Sequence, residues 1–488
     1  MIRIFNQYVS VKSLLLAGLE TVLILLSLVC GARLRFVGDP AGFSQFAAMP
    51  GFALQAGLFV LMFQVCFYYC GLYNLSATRN PAQQVAAVLE SLGAACLLLG
   101  LLYYIFPSFV LGRGVLFLST VFVAAGALVS RLVSDHAWNA GAFHETVVIL
   151  GAGELGATVA SEMARRKDLS MQLAGFIAVE PDRAMSASAS ADAPRACGPC
   201  FAAAAATQIA GHPILGTVAD LDRIASDKNI SRIVVALEDR RGTLPIGQLV
   251  KLRVQGIRIE DAHTAIASLS GRVWLETVRP SWFVFSDGFH RSKSTLILKR
   301  SVDLALGIVG LALAAPVMFL LAAAIRLDSK GPVIYRQTRT GLGGRPFSLL
   351  KFRSMRADAE AFGGVQWAAE DDPRVTRAGR FIRKYRLDEL PQFLNVVRGE
   401  MSFVGPRPER PVFVEQLRGV ISYYDERHSV RPGLTGWAQV QYRYGASVED
   451  AARKLEYDLF YLQNMSLSFD LAIVLKTVRI MLTGFGAR

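Results

Sequence analysis

The sequence predicts a multidomain membrane protein with a four-helix transmembrane bundle, a Rossmann-like α/β domain, and an α/β domain that carries a re-entrant membrane helix hairpin. Three observations lead to this prediction. The 488 residues are 52% hydrophobic, and their mean hydropathy of +0.36 is too high for an ordinary soluble protein. Four apolar runs occupy the first 140 residues, and a fifth lies at 304–325. Between them, a glycine-rich turn joins a strand pattern to a helix pattern.

The predicted transmembrane domain, residues 1–140, holds only seven of the 52 Lys and Arg residues. Its apolar runs each approach the roughly 20 residues that a bilayer requires, at 11–31, 51–70, 85–106 and 114–133. Glu20 and Glu90 are the only acids inside these runs, and each is either a functional group or faces a neighbouring helix. Because Glu20 interrupts the first run and Arg33 and Arg35 follow it, we expect an anchor and not a cleaved signal peptide.

Residues 141–288 are predicted to form the Rossmann-like domain. A predicted strand leads directly into Gly151, Gly153 and Gly156 of a G-x-G-x-x-G motif, and a helix pattern follows. Glu180 lies 24 residues after Gly156, near where an acid that binds a ribose would fall. The domain therefore either binds a nucleotide or dinucleotide, or keeps the turn without a ligand. Its strands are predicted at 147–150, 175–179, 232–237 and 256–260.

Residues 182–209 are of low complexity and are predicted to be a disordered insert in this domain. Cys197 and Cys200 form a single C-x-x-C within it. Because the sequence has no second such pair, a loop is favoured over a zinc or redox site. The other four cysteines lie in apolar segments, where a thiol behaves as a small hydrophobic group.

The C-terminal domain, residues 289–488, begins with the fifth apolar run, and a re-entrant helix is predicted at 302–326. Basic residues flank this run on both sides, which places both of its ends on the cytoplasmic face, and Pro316 near its middle supplies a kink. The alternative is a kinked fifth span, which would place the preceding and following domains on opposite sides of the membrane. The flanking residues are Lys299, Arg300, Arg326 and Lys330.

The same domain carries 30 Lys and Arg residues against 19 Asp and Glu residues. A basic surface favours acidic partners, such as anionic lipid headgroups or phosphorylated substrates. Since membrane runs precede this domain, nucleic acid is the partner that fits least, and we predict that none is bound.

Asp388 and Glu389 are the candidate catalytic residues. A short helix is predicted to begin at Asp388 as its N-cap, with Pro391 in the first turn and Gly399 just past the end. The positive end of the helix dipole stabilises an ionised carboxylate and also attracts phosphate groups. Taken alone, such a pair more often caps a helix and forms surface salt bridges. Basic residues next to the pair, however, favour a phosphate site: Arg383, Lys384 and Arg386.

From residue 299 to the C-terminus the sequence resembles the monotopic polyprenyl-phosphate sugar-1-phosphate transferases, also called bacterial sugar transferases or phosphoglycosyl transferases. The hairpin with its proline belongs to this likeness, although some members have Ser where Ala315 precedes the proline here. The four leading spans and the Rossmann-like domain resemble the large members, which initiate exopolysaccharide or O-antigen synthesis. The last residues are similar to exopolysaccharide transferases found beside exosortase (PEP-CTERM) sorting systems. The motifs are Lys299-Arg300-x-x-Asp303, Gln337-x-Arg339-x-Gly341, Lys351-Phe352-Arg353-Ser354-Met355, Leu387-Asp388-Glu389-Leu390-Pro391-Gln392, Gly405-Pro406-Arg407-Pro408 and Arg431-Pro432-Gly433-Leu434-Thr435-Gly436.

The resemblance implies an undecaprenyl-phosphate sugar phosphotransferase that moves a sugar 1-phosphate from a UDP-sugar to undecaprenyl phosphate and releases UMP. Asp388 would be the nucleophile and form a covalent phosphosugar intermediate. Glu389 would help to hold Mg²⁺, together with Asp388, or would position the lipid phosphate, and the sequence does not separate these roles. Five basic residues are the candidates to bind substrate phosphates: Lys351, Arg353, Arg386, Arg407 and Arg339.

The resemblance also places the chain in the bacterial inner (cytoplasmic) membrane as a multi-pass protein, with its catalytic domain on the cytoplasmic face and in contact with membrane lipids. For the Rossmann-like domain it leaves three roles open: a nucleotide site, a spacer, or the interface of a homodimer.

Two other functions compete with this interpretation. A membrane-anchored nucleotide-sugar dehydratase or epimerase would need a second glycine motif and a Tyr-x-x-x-Lys pair, but the only such pair is Tyr8 with Lys12, before the first apolar run. A non-enzymatic regulator of polysaccharide assembly would not need the acidic and arginine motifs. An ATPase is disfavoured because the sequence has no Walker A motif.

Overall fold

The computed structural model describes residues 2–4, 7–9, 11–73, 81–139, 145–169, 171–179, 208–237, 243–276, 278, 283, 288–289, 292–356, 374–442, 445 and 447–483. The chain packs as two compact units, one of residues 1–4 and 8–265 and the other of residues 5–7 and 266–488.

The first unit begins with two short paired strands and four long helices, which confirm the four predicted apolar runs as helical. Helix α1 packs against α5 and α3, and α4 packs against α3 and α5, around a shared core that includes Phe59, Phe63 and Phe67. Large apolar side chains also face outward, for example Leu97 (78% exposed) and Phe117 (69%). These elements are β1 (Ile2–Ile4), β2 (Gln7–Val9), α1 (Val11–Arg35), α2 (Pro40–Ala47), α3 (Phe52–Tyr69), α4 (Pro81–Ile105) and α5 (Arg113–Asn139).

The two acids within the predicted apolar runs have different surroundings. Glu20 of α1 is buried and forms an ion pair with Arg131 of α5. Ser130 also donates a hydrogen bond to Glu20, at 3.4 Å. Glu90 lies on the exposed side of α4. A buried acid that is paired with a base is the arrangement by which such groups are tolerated among apolar helices, so Glu20 joins α1 to α5.

The rest of the first unit is a mixed α/β sheet with the strand order β5-β6-β4-β3-β7-β8. All neighbouring strands are parallel except β5 and β6, which are antiparallel. The central strand is fully buried from Val147 to Leu150. The elements are β3 (Glu145–Leu150), α6 (Glu154–Arg165), β4 (Met171–Ala178), β5 (Gln208–Ile209), β6 (His212–Thr217), α7 (Leu221–Asp227), β7 (Arg232–Val235), α8 (Ile246–Val254), β8 (Arg258–Asp261) and α9 (Ala262–Ser270), whose residues from 266 onward belong to the second unit.

This sheet confirms the four predicted strands and corrects one boundary of the predicted insert at 182–209. Residues 208 and 209 form edge strand β5, so that part of the segment is ordered by pairing with β6. The remainder of the insert lies outside the described residues, as do Cys197, Cys200 and Glu180.

The glycine-rich turn lies where β3 leads into α6. Gly151 has a φ of +120°, and a Cβ at this position would lie 2.3 Å from the carbonyl oxygen of Ala236. A Cβ on Gly156 would lie 2.4 Å from the carbonyl oxygen of Gly151. Gly153 immediately precedes α6, with an extended backbone. Close packing of strand and helix therefore accounts for Gly151 and Gly156, and binding of a nucleotide stays a prediction.

The second unit combines one very long helix with two small sheets and several shorter helices. Strands β9 and β10 form an antiparallel hairpin, and β11 and β12 pair in parallel. Its elements are α10 (Lys293–Asp328), β9 (Ile334–Thr340), β10 (Pro346–Phe352), α11 (Arg377–Lys384), α12 (Gln392–Arg398), β11 (Ser402–Val404), α13 (Pro411–Arg418), β12 (Gly433–Thr435), α14 (Trp437–Gln441), α15 (Val448–Asn464) and α16 (Leu467–Thr483).

Residues 266–276, which the sequence places in the Rossmann-like domain, pack in the second unit instead. The Trp437 indole nitrogen donates to the carbonyl oxygen of Gly271 at 2.7 Å. Arg272 forms a buried ion pair with Glu456 of α15 at 2.9 Å. The predicted domain boundary at 288 is therefore too late, because these contacts join residues that are far apart in sequence and leave no local signal.

Helix α10 contains the fifth apolar run and is one continuous helix of 36 residues with Pro316 in its interior. Where the apolar run begins, eleven residues into the helix, Asp303 accepts hydrogen bonds from the Ser402 hydroxyl at 2.8 Å and the Phe403 N–H at 3.0 Å. At its end, Asp328 accepts one from the Ala378 N–H at 3.1 Å. Both ends thus contact the same unit, while the side chains between them are apolar and largely exposed, as at Leu313 (75%), Phe319 (76%) and Leu320 (68%).

Candidate active site

Asp388 and Glu389 lie in a 3-10 turn, Leu387–Glu389, that precedes α12. The residue before this turn, Arg386, adopts a left-handed conformation with a φ of +54°. The prediction that Asp388 is the N-cap of an α-helix is therefore wrong, because α12 begins only after Pro391. The predicted end is confirmed, since Gly399 follows α12 with a φ of +85°.

The Glu389 carboxylate is held by two basic side chains. Its Oε1 accepts a hydrogen bond from Nη2 of Arg407 at 2.9 Å and lies 3.5 Å from Nζ of Lys351. Burial by itself raises the pKa of Glu389, but the charges of Arg407, Lys351 and Arg386 outweigh burial and lower the pKa to about 2. Glu389 is therefore a permanently ionised group that fixes the two cations.

The neighbouring Asp388 carboxylate is engaged less closely. Its Oδ2 lies 3.9 Å from Nζ of Lys351, beyond hydrogen-bond distance. Burial raises the pKa of Asp388, and the negative charge of Glu389 acts in the same direction, while Lys351 opposes them. Burial likewise lowers the pKa of Lys351. Two adjacent carboxylates in such different environments are suited to different chemical roles.

Lys351 reaches this pair from β10, and a buried asparagine fixes the distance. Asn395 of α12 accepts a hydrogen bond from the Leu350 N–H at 3.0 Å and donates one to the Ser348 carbonyl at 2.8 Å. These bonds attach α12 to the edge of β10 and so set Lys351 against the turn that carries Asp388. Asn395 belongs to none of the sequence motifs; the signal that marks it is a polar residue between apolar neighbours in a short helix.

Arg407 reaches the pair from the loop that follows β11, and the backbone of this loop is held at four consecutive carbonyl groups. Each carbonyl oxygen accepts a hydrogen bond from another part of the unit. The pairs are Pro406 with the Gly433 N–H (2.9 Å), Arg407 with Nη2 of Arg427 (3.1 Å), Pro408 with Nη1 of Arg339 (3.0 Å), and Glu409 with the Thr340 N–H (2.9 Å).

The loop also meets the segment around β12 at very short range. A Cβ on Gly433 would lie 2.1 Å from the backbone nitrogen of Gly405, and one on Gly436 would lie 2.2 Å from the carbonyl oxygen of Gly405. The motifs at 405–408 and 431–436, which are separate in sequence, therefore form one close-packed junction.

The structure brings three of the five predicted phosphate-binding residues together around the carboxylate pair: Lys351, Arg407 and Arg386. Arg339 lies beside the loop. Its Nη1 donates to the carbonyl oxygen of Pro408, and its Nη2 donates to Oε1 of the Gln337 side chain at 2.7 Å. Arg353 is not part of this cluster. It is 5% exposed and donates to the carbonyls of Ser329 and Lys330, each at 2.8 Å, so it fastens the end of α10.

The carboxylate pair also fits the way in which proteins bind Mg²⁺. Among the described residues, no group of three or more His, Cys, Asp or Glu side chains is placed to hold a metal ion. Mg²⁺ is commonly bound through one or two carboxylates, with substrate phosphates completing its coordination. Asp388 and Glu389 supply two adjacent carboxylates and are suited to that arrangement.

Comparison with known proteins identifies the class. A family model described as bacterial sugar transferase matches residues 294–484, and one described as CoA-binding domain matches residues 69–260. An Aeromonas hydrophila UDP-N-acetylgalactosamine-undecaprenyl-phosphate N-acetylgalactosaminephosphotransferase is 49% identical over 191 residues, which are 39% of this chain and 45% of that protein. A UDP-glucose:undecaprenyl-phosphate glucose-1-phosphate transferase from Klebsiella pneumoniae is 36% identical over 270 residues, 54% of this chain and 57% of that protein.

A UDP-glucose:undecaprenyl-phosphate glucose-1-phosphate transferase from Caulobacter vibrioides is 46% identical over 187 residues, which are 38% of this chain and 70% of that protein. The chain therefore belongs to the bacterial sugar transferase family, as the sequence predicts. It spans about half the length of the Aeromonas and Klebsiella relatives. Of the described residues, five helices are long and apolar enough to cross a membrane, and the chain is a multi-pass membrane protein.

Proposed function

We propose that this chain transfers a sugar 1-phosphate from a UDP-sugar to undecaprenyl phosphate, with release of UMP, and so initiates the synthesis of an exopolysaccharide. The observation that carries this proposal is the unequal pairing of two adjacent carboxylates: Glu389 accepts a hydrogen bond from Arg407 at 2.9 Å, whereas the ion pair of Asp388 with Lys351 is 3.9 Å long. The substrates follow from the names of the relatives, which are UDP-sugar and undecaprenyl-phosphate transferases.

In the first step, an oxygen of the Asp388 carboxylate attacks the β-phosphorus of the UDP-sugar. A bond forms between this oxygen and phosphorus, and the bond from phosphorus to the bridging oxygen breaks. UMP leaves with the electron pair, and the sugar phosphate stays on Asp388 as a mixed anhydride. Asp388 takes this role because its carboxylate makes the longer contact with Lys351, at 3.9 Å against 3.5 Å for Glu389, whose carboxylate also accepts a hydrogen bond from Arg407.

In the second step, a phosphate oxygen of undecaprenyl phosphate attacks the same phosphorus, and the bond to Asp388 breaks. The carboxylate is restored, and the lipid carries a diphosphate-linked sugar. Lys351 and Arg407, which Glu389 holds in place, face the negative charge of the phosphate groups in both steps. Mg²⁺ held by Asp388 and Glu389 would supply further charge neutralisation at the phosphate oxygens.

For the membrane arrangement, we propose that α1, α3, α4 and α5 form a four-helix transmembrane bundle in the bacterial inner membrane and that α10 is re-entrant. A straight helix from Asp303 to Asp328 would be about 38 Å long, so these two residues would lie on opposite sides of a hydrocarbon layer about 30 Å thick. The contacts of Asp303 and Asp328 with one and the same unit instead support a helix that bends at Pro316 and returns. Both ends and the catalytic residues then lie on the cytoplasmic face.

The decisive experiment measures UMP release by the full chain in nanodiscs that contain undecaprenyl phosphate, across a panel of UDP-sugars. We expect release with one or a few donors and none when undecaprenyl phosphate and enzyme are supplied without a UDP-sugar. Conversion of the UDP-sugar without UMP would favour the dehydratase or epimerase, and absence of any reaction with every donor would refute the proposed activity.

A further inference from the structure

Arg427 is a buried arginine that has no role in the two proposed steps of the reaction. It lies in the 3-10 turn Tyr424–Ser429, and its side chain is 5% exposed. Nη1 donates to the Tyr424 hydroxyl at 2.7 Å, and Nη2 donates to the carbonyl oxygen of Arg407 at 3.1 Å. Nη2 also lies 2.8 Å from the carboxylate of Asp458, which is 2% exposed.

This arrangement connects the catalytic loop to a rigid helix. Asp458 belongs to α15, whose buried residues form much of the core of the second unit. Arg427 bridges from this helix to the main chain of Arg407, and the guanidinium of Arg407 in turn contacts Glu389. A buried charge is tolerated only when it is paired, so Asp458 keeps the Arg427 guanidinium in place.

Other groups hold the neighbouring carbonyls of the loop, but Arg427 holds the carbonyl of Arg407 itself. A shift of that peptide would turn the Arg407 side chain away from Glu389, because the peptide sets the direction of the Cα–Cβ bond. We propose that Arg427 is a positioning residue for Arg407 and that Asp458 fixes Arg427. This inference rests on the proposed transfer of a sugar 1-phosphate at Asp388.

The alternative is that the Arg427–Asp458 pair only stabilises the fold. The same unit provides a matched control, because Arg272 and Glu456 form a second buried ion pair at 2.9 Å. Glu456 lies on α15 only two residues from Asp458 and is equally enclosed, with 6% of its side chain exposed. Arg272 contacts Glu456 and the Trp274 ring.

The experiment compares Asp458→Asn with Glu456→Gln, and Arg427→Met with Arg272→Met, in the full chain in nanodiscs. For each variant, the melting temperature, kcat and KM of UMP release are measured. We expect all four to lower the melting temperature, but only the changes at 427 and 458 to lower kcat, by on the order of 100-fold for Arg427→Met. Asp458→Asn should have a smaller effect, since the amide keeps the size of Asp458 and its oxygen carries a partial negative charge towards Arg427.

A double-variant test then asks whether Arg427 acts through Arg407. If it does, adding Arg427→Met to Arg407→Lys lowers kcat by less than about 3-fold. In the double variant, Arg427 no longer has an Arg407 guanidinium to position, so its removal costs little further activity. Multiplicative losses in the double variant would overturn the proposal, as would equal kcat values for Asp458→Asn and Glu456→Gln. If Arg427→Met does not fold, the isosteric Asp458→Asn comparison decides the question alone.

Failure of the two proposals is distinguishable. A wild-type protein that releases no UMP from any donor contradicts the proposed function. A wild type that releases UMP, with Arg427→Met and Asp458→Asn releasing it equally fast, contradicts only the positioning role.

Discussion

Asp388→Asn and Glu389→Gln should have different consequences, although the two residues are adjacent. Asp388→Asn removes the oxygen nucleophile and leaves the contacts of Glu389 with Arg407 and Lys351 intact. We expect it to lower the rate of UMP release by about 10⁴-fold or more, as is typical when a nucleophile is removed. The fold should be preserved, because asparagine has the size of the aspartate that it replaces and the Asp388–Lys351 ion pair is long, at 3.9 Å.

The magnitude for Glu389→Gln follows from the electrostatics of the site. Arg407 and Lys351 outweigh burial and lower the pKa of Glu389 from 4.5 to about 2. At about 1.4 kcal/mol for each pH unit, this difference corresponds to about 3 kcal/mol of interaction with the ionised carboxylate. If that interaction serves to place the two cations for the transition state, its loss lowers the rate by about 10²-fold.

The assay that separates the two roles omits the lipid acceptor. With UDP-sugar alone, the wild type should release a burst of UMP equal to the enzyme present, and mass spectrometry should find the sugar phosphate on the peptide that contains Asp388. Glu389→Gln should give the same adduct more slowly, and Asp388→Asn should give none. An adduct on Glu389, or a burst from Asp388→Asn, would refute the assignment of the nucleophile.

Two further predictions concern topology and stability. Ser301 and Leu327 are exposed residues at the two ends of the apolar stretch of α10. In a protein without the native cysteines, Ser301→Cys and Leu327→Cys should both react with a membrane-impermeant maleimide from the cytoplasmic face only. Labelling from opposite faces would contradict re-entry. Burial and then the charge of Arg427 lower the pKa of His428 from 6.5 to about 4, so folding favours the neutral imidazole. The stability that this provides is complete above about pH 6.5 and is lost as the pH falls towards 4, by about 3 kcal/mol in total. Chemical unfolding between pH 7.5 and 5 should therefore show a weaker pH dependence in His428→Gln than in the wild type, and parallel profiles would contradict the prediction.

The elements that the sequence predicts correctly are those whose cause is local. The helices α1, α3, α4 and α5 follow from long runs of apolar residues, and β3 with its turn follows from a short continuous apolar run and from glycines that only a tight strand-to-helix connection needs. The same is true of Gly399, whose left-handed conformation ends α12 at the predicted position.

The features that the sequence does not predict depend on contacts between distant residues. Arg353 has the residue type and spacing of a phosphate ligand. Its guanidinium, however, donates hydrogen bonds to the carbonyl oxygens of Lys330 and Ser329, which lie 23 and 24 positions earlier in the chain. Arg427 and Asp458 lie 31 positions apart, and neither belongs to a recognisable motif. The turn at Asp388 depends on a left-handed Arg386, a conformation that local propensity assigns to glycine or asparagine. Motifs identify residue types, whereas the tertiary structure decides which partner each side chain finds.

The close-packed junction of Gly405 with Gly433 and Gly436 restricts how this chain can diverge. With distances of 2.1 and 2.2 Å to the nearest backbone atoms, even a methyl group at Gly433 or Gly436 would push the two segments apart and displace the loop that carries Arg407. Evolution of a new donor preference therefore has to proceed through positions whose side chains can change size without moving this junction. Chimaeras made to locate the determinants of sugar choice should keep residues 402–436 together and exchange segments on either side.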